Sequence, residues 1–412
     1  MNRFIKIQIQ AIRDICFIFL DELKNVFKDP GVLIFFILVP IGYPLLYSWL
    51  YNNEAMKDVP TVFVDDSHSF MSREFMRRCD ATEGIKIVAQ AANIDEAREI
   101  QSEQGCHGIV YIPEDFETKV NRGEQTAVSF FADMSGMLYY KGIFSALTDV
   151  SLEMGKNILI SRHGGFTNRD DEVQTAPLRY RAVALFNPQG GYGSFLLPAV
   201  LMLIIQQTML LGIGLLAGTA RESNKYRELL PIKRHYHGMY RIIFGKSLCY
   251  FIIYALIAPY ITMAVPHIFN FIRLASPSTL LCIITPYIIA CTFFGMTLSG
   301  LVRYRENVIL LVLFTSVPLL FLSGVSWPGS SIHGIWKSIS MLFPSTFGIN
   351  AFVKANSFGA ELVDVQKELV AMWIQAICYF FTAIGVYWRR INLSRVHTLN
   401  RQKMARGKNV PS

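Results

Sequence analysis

Long stretches without a single Asp, Glu, Lys or Arg divide this chain into apolar and charged segments. Six of them contain 20 or more residues, and they cover 32–51, 182–220, 247–272, 274–302, 307–336 and 369–388. A helix of about 20 apolar residues crosses the hydrocarbon core of a bilayer, and a charge at its centre costs on the order of 3 kcal/mol. The pattern therefore predicts six transmembrane helices, at residues 30–51, 194–217, 247–268, 279–301, 307–326 and 369–389.

Two further segments are apolar but do not fit a crossing. Residues 338–353 carry no charge, yet they number only 16 and include Pro344. That length fits a re-entrant or interfacial segment. Residues 1–29 place apolar side chains, Ile9 and Ile12 among them, at spacings of three and four with basic residues beside them. This periodicity predicts an amphipathic helix in the headgroup layer.

Residues 52–185 have the pattern of an α/β domain. Short β-branched and apolar runs alternate with helical patterns between turn residues. We expect strands at 59–64, 85–88, 108–112 and 127–132, and helices at 69–78, 94–104, 114–121 and 137–160. Strands that alternate with helices along a chain imply a sheet with parallel pairs.

The charges indicate how the chain crosses the membrane. Between residues 52 and 192 there are 14 Lys/Arg and 21 Asp/Glu, whereas the remainder holds 25 basic and 10 acidic residues. Basic residues mark cytosolic loops, so we expect both termini and the basic tail 390–412 in the cytosol. The fold class is then a polytopic α-helical membrane protein with six transmembrane helices, five of them in residues 186–389, plus an extracytoplasmic α/β domain. We expect it in the inner (cytoplasmic) membrane, in contact with lipid, and expect no nucleic-acid partner although the net charge is +8.

One triplet suggests nucleotide binding but lacks the rest of the motif. Gly245-Lys246-Ser247 resembles the end of a phosphate loop, which needs a glycine five positions before Gly245. That position is Tyr240, and an apolar span follows the triplet. We therefore expect no ATP hydrolysis, and no other catalytic site, on this chain.

Metal binding and ion coupling find no support in the sequence. His235 and His237 lie two residues apart with no acidic or Cys partner nearby, so we expect no metal site. The spans hold almost no ionisable side chains, whereas ion-coupled carriers usually need them there. Cys79 and Cys106 of the insert could form a disulfide or both be buried as free thiols.

The loop of residues 218–246 combines charges of both signs with a small apolar group. Such a combination suits a docking surface better than a purely solvated loop. The candidate coupling residues are Arg221, Glu222, Lys225, Tyr226, Arg227, Glu228, Leu229, Leu230 and Pro231.

In this order and spacing, the features resemble the permeases of ABC-2 type exporters over essentially the whole chain. The segments that carry the resemblance are Lys28-Asp29-Pro30, the insert segments Val64-Asp65-Asp66-Ser67 and 108–116, Phe321-Leu322-Ser323-Gly324 and Phe343-Pro344-Ser345-Thr346. In the loop, Arg221-Glu222, Leu229-Leu230-Pro231 and Gly245-Lys246 match the family pattern. Lys225-Tyr226 stand where the family usually has Gly-Thr.

The resemblance implies a non-catalytic permease that works with a separate ATP-binding subunit, which carries ATP and Mg and docks on residues 218–246. It also implies a second permease copy, in a homodimer or a paralogous heterodimer, and outward movement of drug-like, lipid or other hydrophobic substrate. Members with such an insert often work with a periplasmic adaptor and an outer-membrane channel. Candidate pathway residues on the second and fifth spans are Phe195, Gln206, Gln207, Phe314 and Phe321.

A function of a different class stays open at this point. A membrane-anchored sensor would use the external α/β domain to bind a ligand, although the tail after Trp388 is short for a signalling domain. A membrane-embedded enzyme would need polar catalytic groups at one depth in the spans, and the sequence offers none.

Overall fold

The structure, a computed structural model, describes residues 2–52, 56–132, 134, 136–163, 185–187, 191–222, 239–300, 302 and 304–407. It divides into two units. The first combines the N-terminal 52 residues with residues 192–412, and the second is the intervening segment 53–191.

The first unit is helical. Its helices are Asn2–Lys28, Pro30–Leu33, Val39–Leu50, Tyr192–Glu222, Met239–Pro259, Val265–Ile268, Pro277–Leu298, Arg305–Leu322, Gly334–Ser340, Pro344–Phe358 and Gln366–Gly407, with π-helical turns at Ile34–Leu38 and Tyr260–Ala264. Each π-helical turn lies just before a proline, Pro40 or Pro266, whose missing N–H interrupts the regular ladder.

Six stretches in this unit are helical, long and apolar enough to cross a membrane. They are Pro30–Leu50, Gly193–Glu222, Met239–Ile268, Pro277–Leu298, Arg305–Leu322 and Gln366–Arg390, and we number them TM1 to TM6. The chain is therefore a multi-pass membrane protein, as its charge-free stretches predict. The last helix runs on past TM6 to Gly407, so most of the basic tail continues the same helix.

TM2 and TM4 form the centre of the bundle. In an apolar stretch of 18 residues, 89% of the residues of TM2 are buried, whereas only 17% of those of TM5 are. Glycines allow neighbouring helices to approach TM2 closely. A Cβ at Gly212 would overlap Phe36 of TM1, and one at Gly214 would lie 2.5 Å from Val308 of TM5. Small residues at helix contacts are typical of membrane bundles, where van der Waals packing drives association.

The helix Pro344–Phe358 lies between TM5 and TM6 in sequence and packs inside the bundle. We call it the half-length helix. Its 15 residues span about 22 Å, too short for a crossing. Gly348 lies directly against the Tyr287 ring of TM4, and Ile349 and Phe352 are fully buried. The helix ends at Gly359, whose φ of 68° forms a left-handed cap.

The second unit contains a four-stranded mixed sheet of order β2-β1-β3-β4. Its strands are β1 Val59–Asp65, β2 Ile85–Ala91, β3 Gly108–Ile112 and β4 Ser129–Ala132, and its helices are Phe70–Asp80, Ile94–Gln104, Phe116–Arg122 and Met137–His163. β1 pairs in parallel with β2 and β3, and β4 pairs antiparallel with β3. Each predicted strand and helix of the insert has a counterpart here, with bounds that differ by a few residues.

The two cysteines of this unit lie on opposite faces of the sheet. Cys79 packs in the core that contains Phe63, and Cys106 packs in the core that contains Val62. Val62 and Phe63 are consecutive residues of β1, so their side chains point to opposite faces of the sheet. The two thiols, which pack with them, therefore lie on opposite faces as well. Both cysteines are free, which resolves the open question in favour of buried thiols.

Candidate coupling site at the basic end of the bundle

The basic end of the bundle is the end where TM1 begins at Pro30, TM2 ends at Glu222, TM3 begins at Met239 and TM5 begins at Arg305. The candidate coupling loop connects TM2 to TM3 at this end. Seven of the nine candidate residues lie outside the described residues, namely Lys225, Tyr226, Arg227, Glu228, Leu229, Leu230 and Pro231. Arg221 and Glu222 are described, and so are both flanks of the loop.

Asp29 joins three spans at this end. Its Oδ1 caps the start of TM1 by accepting hydrogen bonds from the N–H groups of Gly31 and Val32 at 3.0 and 3.4 Å. Arg305 of TM5 donates from Nη2 to Oδ1 at 2.7 Å and from Nη1 to Oδ2 at 2.9 Å. Thr219 of TM2 donates to Oδ2 at 3.2 Å. A bidentate guanidinium–carboxylate pair fixes orientation as well as distance.

The last turn of TM2 is also fastened to the start of TM5. Glu222 accepts a hydrogen bond from the backbone N–H of Arg305 at 2.8 Å, and Arg221 donates to the carbonyl of Val302 at 2.6 Å. A Cβ at Gly218 would lie 2.9 Å from the Cα of Arg305, so this crossing requires glycine. We call this set of contacts the TM1–TM2–TM5 joint.

The environment of Asp29 keeps it ionised. Burial alone would raise the pKa of its carboxyl group, but hydrogen bonds and charge from Arg305 outweigh burial, and the pKa lies below the ordinary 3.8. The pair therefore persists as an ion pair at neutral pH.

The other flank of the loop is fastened to the N-terminal helix. Arg241 Nη1 of TM3 lies 2.6 Å from Asp14 Oδ2, and Lys246 Nζ lies 2.7 Å from Glu22 Oε2. The side chains of Asp14 and Glu22 are only 1% and 5% exposed. Tyr250 donates a further hydrogen bond to Glu22. We call this set the TM3–N-helix joint.

Gly245-Lys246-Ser247 has a structural use in this joint. A Cβ at Gly245 would lie 2.7 Å from a side-chain carbon of Ile18, so only glycine lets the two helices approach. Lys246 then reaches Glu22. The helix also begins eight residues earlier than the predicted 247–268, because its first turns pair their charges with the N-terminal helix instead of exposing them to lipid.

The N-terminal helix carries two faces of opposite character. Asp14, Ile18, Glu22 and Val26 are buried against the bundle at a regular spacing of four. Ile9 and Ile12 of the periodic stripe, each 61% exposed, point outward. An outward apolar face suits a membrane surface. Asp14 and Glu22 form an acidic stripe on the buried face, and this stripe could not be recognised from the apolar periodicity alone.

The candidate pathway residues fall into two groups. Phe195, Phe314 and Phe321 are exposed on the bundle surface, at 48, 74 and 49%. Gln206 and Gln207 lie inside it at 1 and 7% exposed. The structure thus does not bring the five together in this chain alone.

No group of three or more His, Cys, Asp or Glu side chains is arranged to hold a metal ion among the residues that the structure describes. His235 and His237 fall outside those residues. The described contacts at the basic end hold helices to one another.

The fold and the joints define a multi-pass membrane protein whose largest loop at the basic end is fastened on both sides. Residues 30–384 match the family model described as "ABC-2 family transporter protein". The chain belongs to this family and is a permease subunit of an ABC transporter, a class that works with an ATP-binding subunit. The comparison with curated proteins finds no match.

Proposed function

We propose that this chain is the permease subunit of an ATP-driven exporter, and that a separate ATP-binding subunit drives it by docking on residues 218–246. The observation that carries the proposal is the pair of joints at the two flanks of this loop. Because side-chain contacts hold both flanks to neighbouring helices, a displacement of the loop would be transmitted to those helices.

The joints supply a route from the loop into the membrane. A push on the TM2 flank passes through Glu222 and Arg221 to TM5 and through Thr219 to Asp29 and TM1. A push on the TM3 flank passes through Arg241 and Lys246 to the N-terminal helix. Five elements at the basic end, namely the N-terminal helix, TM1, TM2, TM3 and TM5, would therefore move when ATP, bound with Mg on the partner subunit, closes that subunit.

The charge distribution supports the remaining topology. We place the basic end and both termini in the cytosol, the α/β unit outside, and the chain in the inner membrane. A second permease copy would cover the exposed apolar face of TM5, where Phe314 and Phe321 lie. Phe195, Phe314 and Phe321 would then line the path of a drug-like, lipid or other hydrophobic substrate. A periplasmic adaptor that leads to an outer-membrane channel is the expected partner of the external unit.

Purification of the tagged chain in mild detergent, followed by mass spectrometry of co-purifying proteins, tests this proposal. We expect a P-loop ATPase that is lost with Leu229→Asp or Glu222→Arg. The matched controls are Leu152→Asp in the α/β unit and Glu361→Arg at the opposite end of the bundle, both exposed sites whose change should leave the complex intact.

Two results would contradict the proposal. One is a chain that purifies alone under conditions that preserve known complexes of this class, which would favour the membrane-anchored sensor. The other is a topology map that places residues 218–246 outside the cell.

A further inference from the structure

A side chain of TM2 caps the half-length helix Pro344–Phe358 inside the bundle. Gln206 Oε1 accepts a hydrogen bond from the backbone N–H of Ser345 at 2.7 Å. The cap residue Phe343 provides no side-chain hydrogen bond of its own. Cys291 of TM4 is the other neighbour, with its Sγ 3.9 Å from the same oxygen.

This capped end lies deep in the membrane. Gln206 is about 20 Å along TM2 from its first residue, and Cys291 is about 20 Å along TM4 from its own. A bilayer core is about 30 Å thick, so the start of the half-length helix lies well inside the hydrocarbon region. Gln206 is 1% exposed and Ser345 is fully buried.

Hydrogen-bond donors remain unused at this position. Gln206 Nε2 and Ser345 Oγ are buried and have no hydrogen-bond partner among the described residues. The nearby carbonyls are engaged, because Thr346 Oγ1 donates to Ser340 and Gln375 Nε2 donates to Met341, both at 2.7 Å. Two hydrogen-bond donors, Gln206 Nε2 and the Ser345 hydroxyl, are therefore left at the helix N-terminus.

Gln207, the next residue of TM2, is a second buried amide. Neither its Oε1 nor its Nε2 has a partner among the residues the structure describes. TM2 and TM5 run antiparallel, with Gly218 against Arg305 and Gly214 against Val308. That register places Gln207 at the level of Thr315.

We propose that Gln206 and Ser345 form a binding site for an acceptor oxygen, neutral or anionic, on the polar group of an apolar substrate. The inference rests on the proposed function and deepens it by naming the chemistry that the exporter selects. An unpaired donor in a low-dielectric interior costs free energy, which a bound acceptor recovers. The positive end of a helix dipole strengthens this preference. The same dipole and the Gln206 Nε2 donor disfavour a cation there.

The test compares two amphiphiles of equal chain length, tritiated palmitate and tritiated hexadecylamine, bound to the full chain in phosphatidylcholine nanodiscs. Empty nanodiscs give the background. We expect saturable palmitate binding at least about tenfold tighter than hexadecylamine binding.

Two variants separate a ligand site from a helix cap. Gln206→Glu keeps an oxygen that accepts from the Ser345 N–H but replaces the free donor, so palmitate binding should fall about tenfold. Ser345→Ala removes an oxygen that has no partner, so binding should weaken while the thermal unfolding temperature stays unchanged. Gln366→Glu and Ser316→Ala are the matched controls and should bind as wild type.

A purely structural cap would give a different result. Palmitate binding that equals hexadecylamine binding, or that survives both variants, would overturn the inference. Co-purification of the ATPase with the Gln206→Glu chain separates this failure from failure of the proposed function, because the site is remote from the loop.

Discussion

Arg305 holds both carboxylate oxygens of Asp29, a residue 276 positions earlier, at 2.7 and 2.9 Å. The same arginine offers its backbone N–H to Glu222, the last residue of TM2. One residue thus links the starts of two spans to the end of a third. Arg305 thereby connects the TM2 flank of the candidate coupling loop to both TM1 and TM5.

Arg305→Ala should reduce ATP-driven transport more than it reduces the stability of the fold. Hydrogen bonds to a charged group contribute about 2 kcal/mol, so the chain should remain folded with a lower unfolding temperature. ATPase co-purification should persist, whereas transport driven by ATP in proteoliposomes should fall at least about tenfold. Arg273→Ala, an arginine whose side chain donates to a carbonyl at the opposite end, is the control. Full transport by Arg305→Ala would show that the joint transmits nothing.

The stabilising contribution of Asp29 should change with pH only under strongly acidic conditions. Its pKa in the folded chain lies below 3.8, so the folded state binds its proton less readily than the unfolded state. The contribution is therefore fully present above pH 3.8 and is lost as pH falls through the folded pKa. Unfolding temperatures measured between pH 3 and 7 should show an acid limb that is shallower in Asp29→Asn. Equal acid limbs in both proteins would contradict the assignment.

The TM3–N-helix joint predicts a strong coupling between Glu22 and Lys246. Glu22→Leu alone should destabilise the chain by about 3 kcal/mol, because it removes the buried carboxylate that Lys246 Nζ contacts at 2.7 Å. The double variant Glu22→Leu with Lys246→Met should recover most of that loss, since both charges are gone. Chemical unfolding of the two single variants and the double variant gives the coupling energy. Additive effects would mean that the two side chains do not interact.

The thiols of the α/β unit should be unreactive while it is folded. Burial raises the pKa of Cys79 to about 12 and also raises that of Cys106. Because the thiolate is the reactive form, N-ethylmaleimide at pH 8 should label Cys79 at least about a thousandfold more slowly than an exposed cysteine such as Ser145→Cys provides. Labelling in urea should be fast at both positions. A mobility shift on reduction would reveal the disulfide that the structure lacks.

The spans could be predicted from the sequence because lipid penalises each charge separately. A charge-free run such as 369–388 therefore predicts a span without information from the rest of the chain. The strands of the insert could also be predicted, since alternating runs and turn residues are local. The family followed from motifs at fixed order, from Lys28-Asp29-Pro30 to Phe343-Pro344-Ser345-Thr346.

The joints could not be predicted in the same way. Asp29 and Arg305 look like ordinary charges beside spans until the fold brings them together. Arg241 and Lys246 looked like loop charges, because their partners lie 227 and 224 residues away. Gln206 could be singled out as polar in a span, but its hydrogen bond to Ser345 depends on how TM2 and the half-length helix pack. Long-range partners are set by topology, which local patterns do not encode.

The buried acidic stripe of the N-terminal helix has a consequence for how the chain is made. Asp14 and Glu22 leave the ribosome long before Arg241 and Lys246, and translation adds about 5–20 residues per second. The helix therefore waits for about 10 to 45 s with two carboxylates lacking their final partners. During that interval the outward apolar side chains can hold it at the membrane surface while the carboxylates stay in water. The helix is synthesised before its partners on TM3 and cannot take its final position until the chain up to Lys246 has followed.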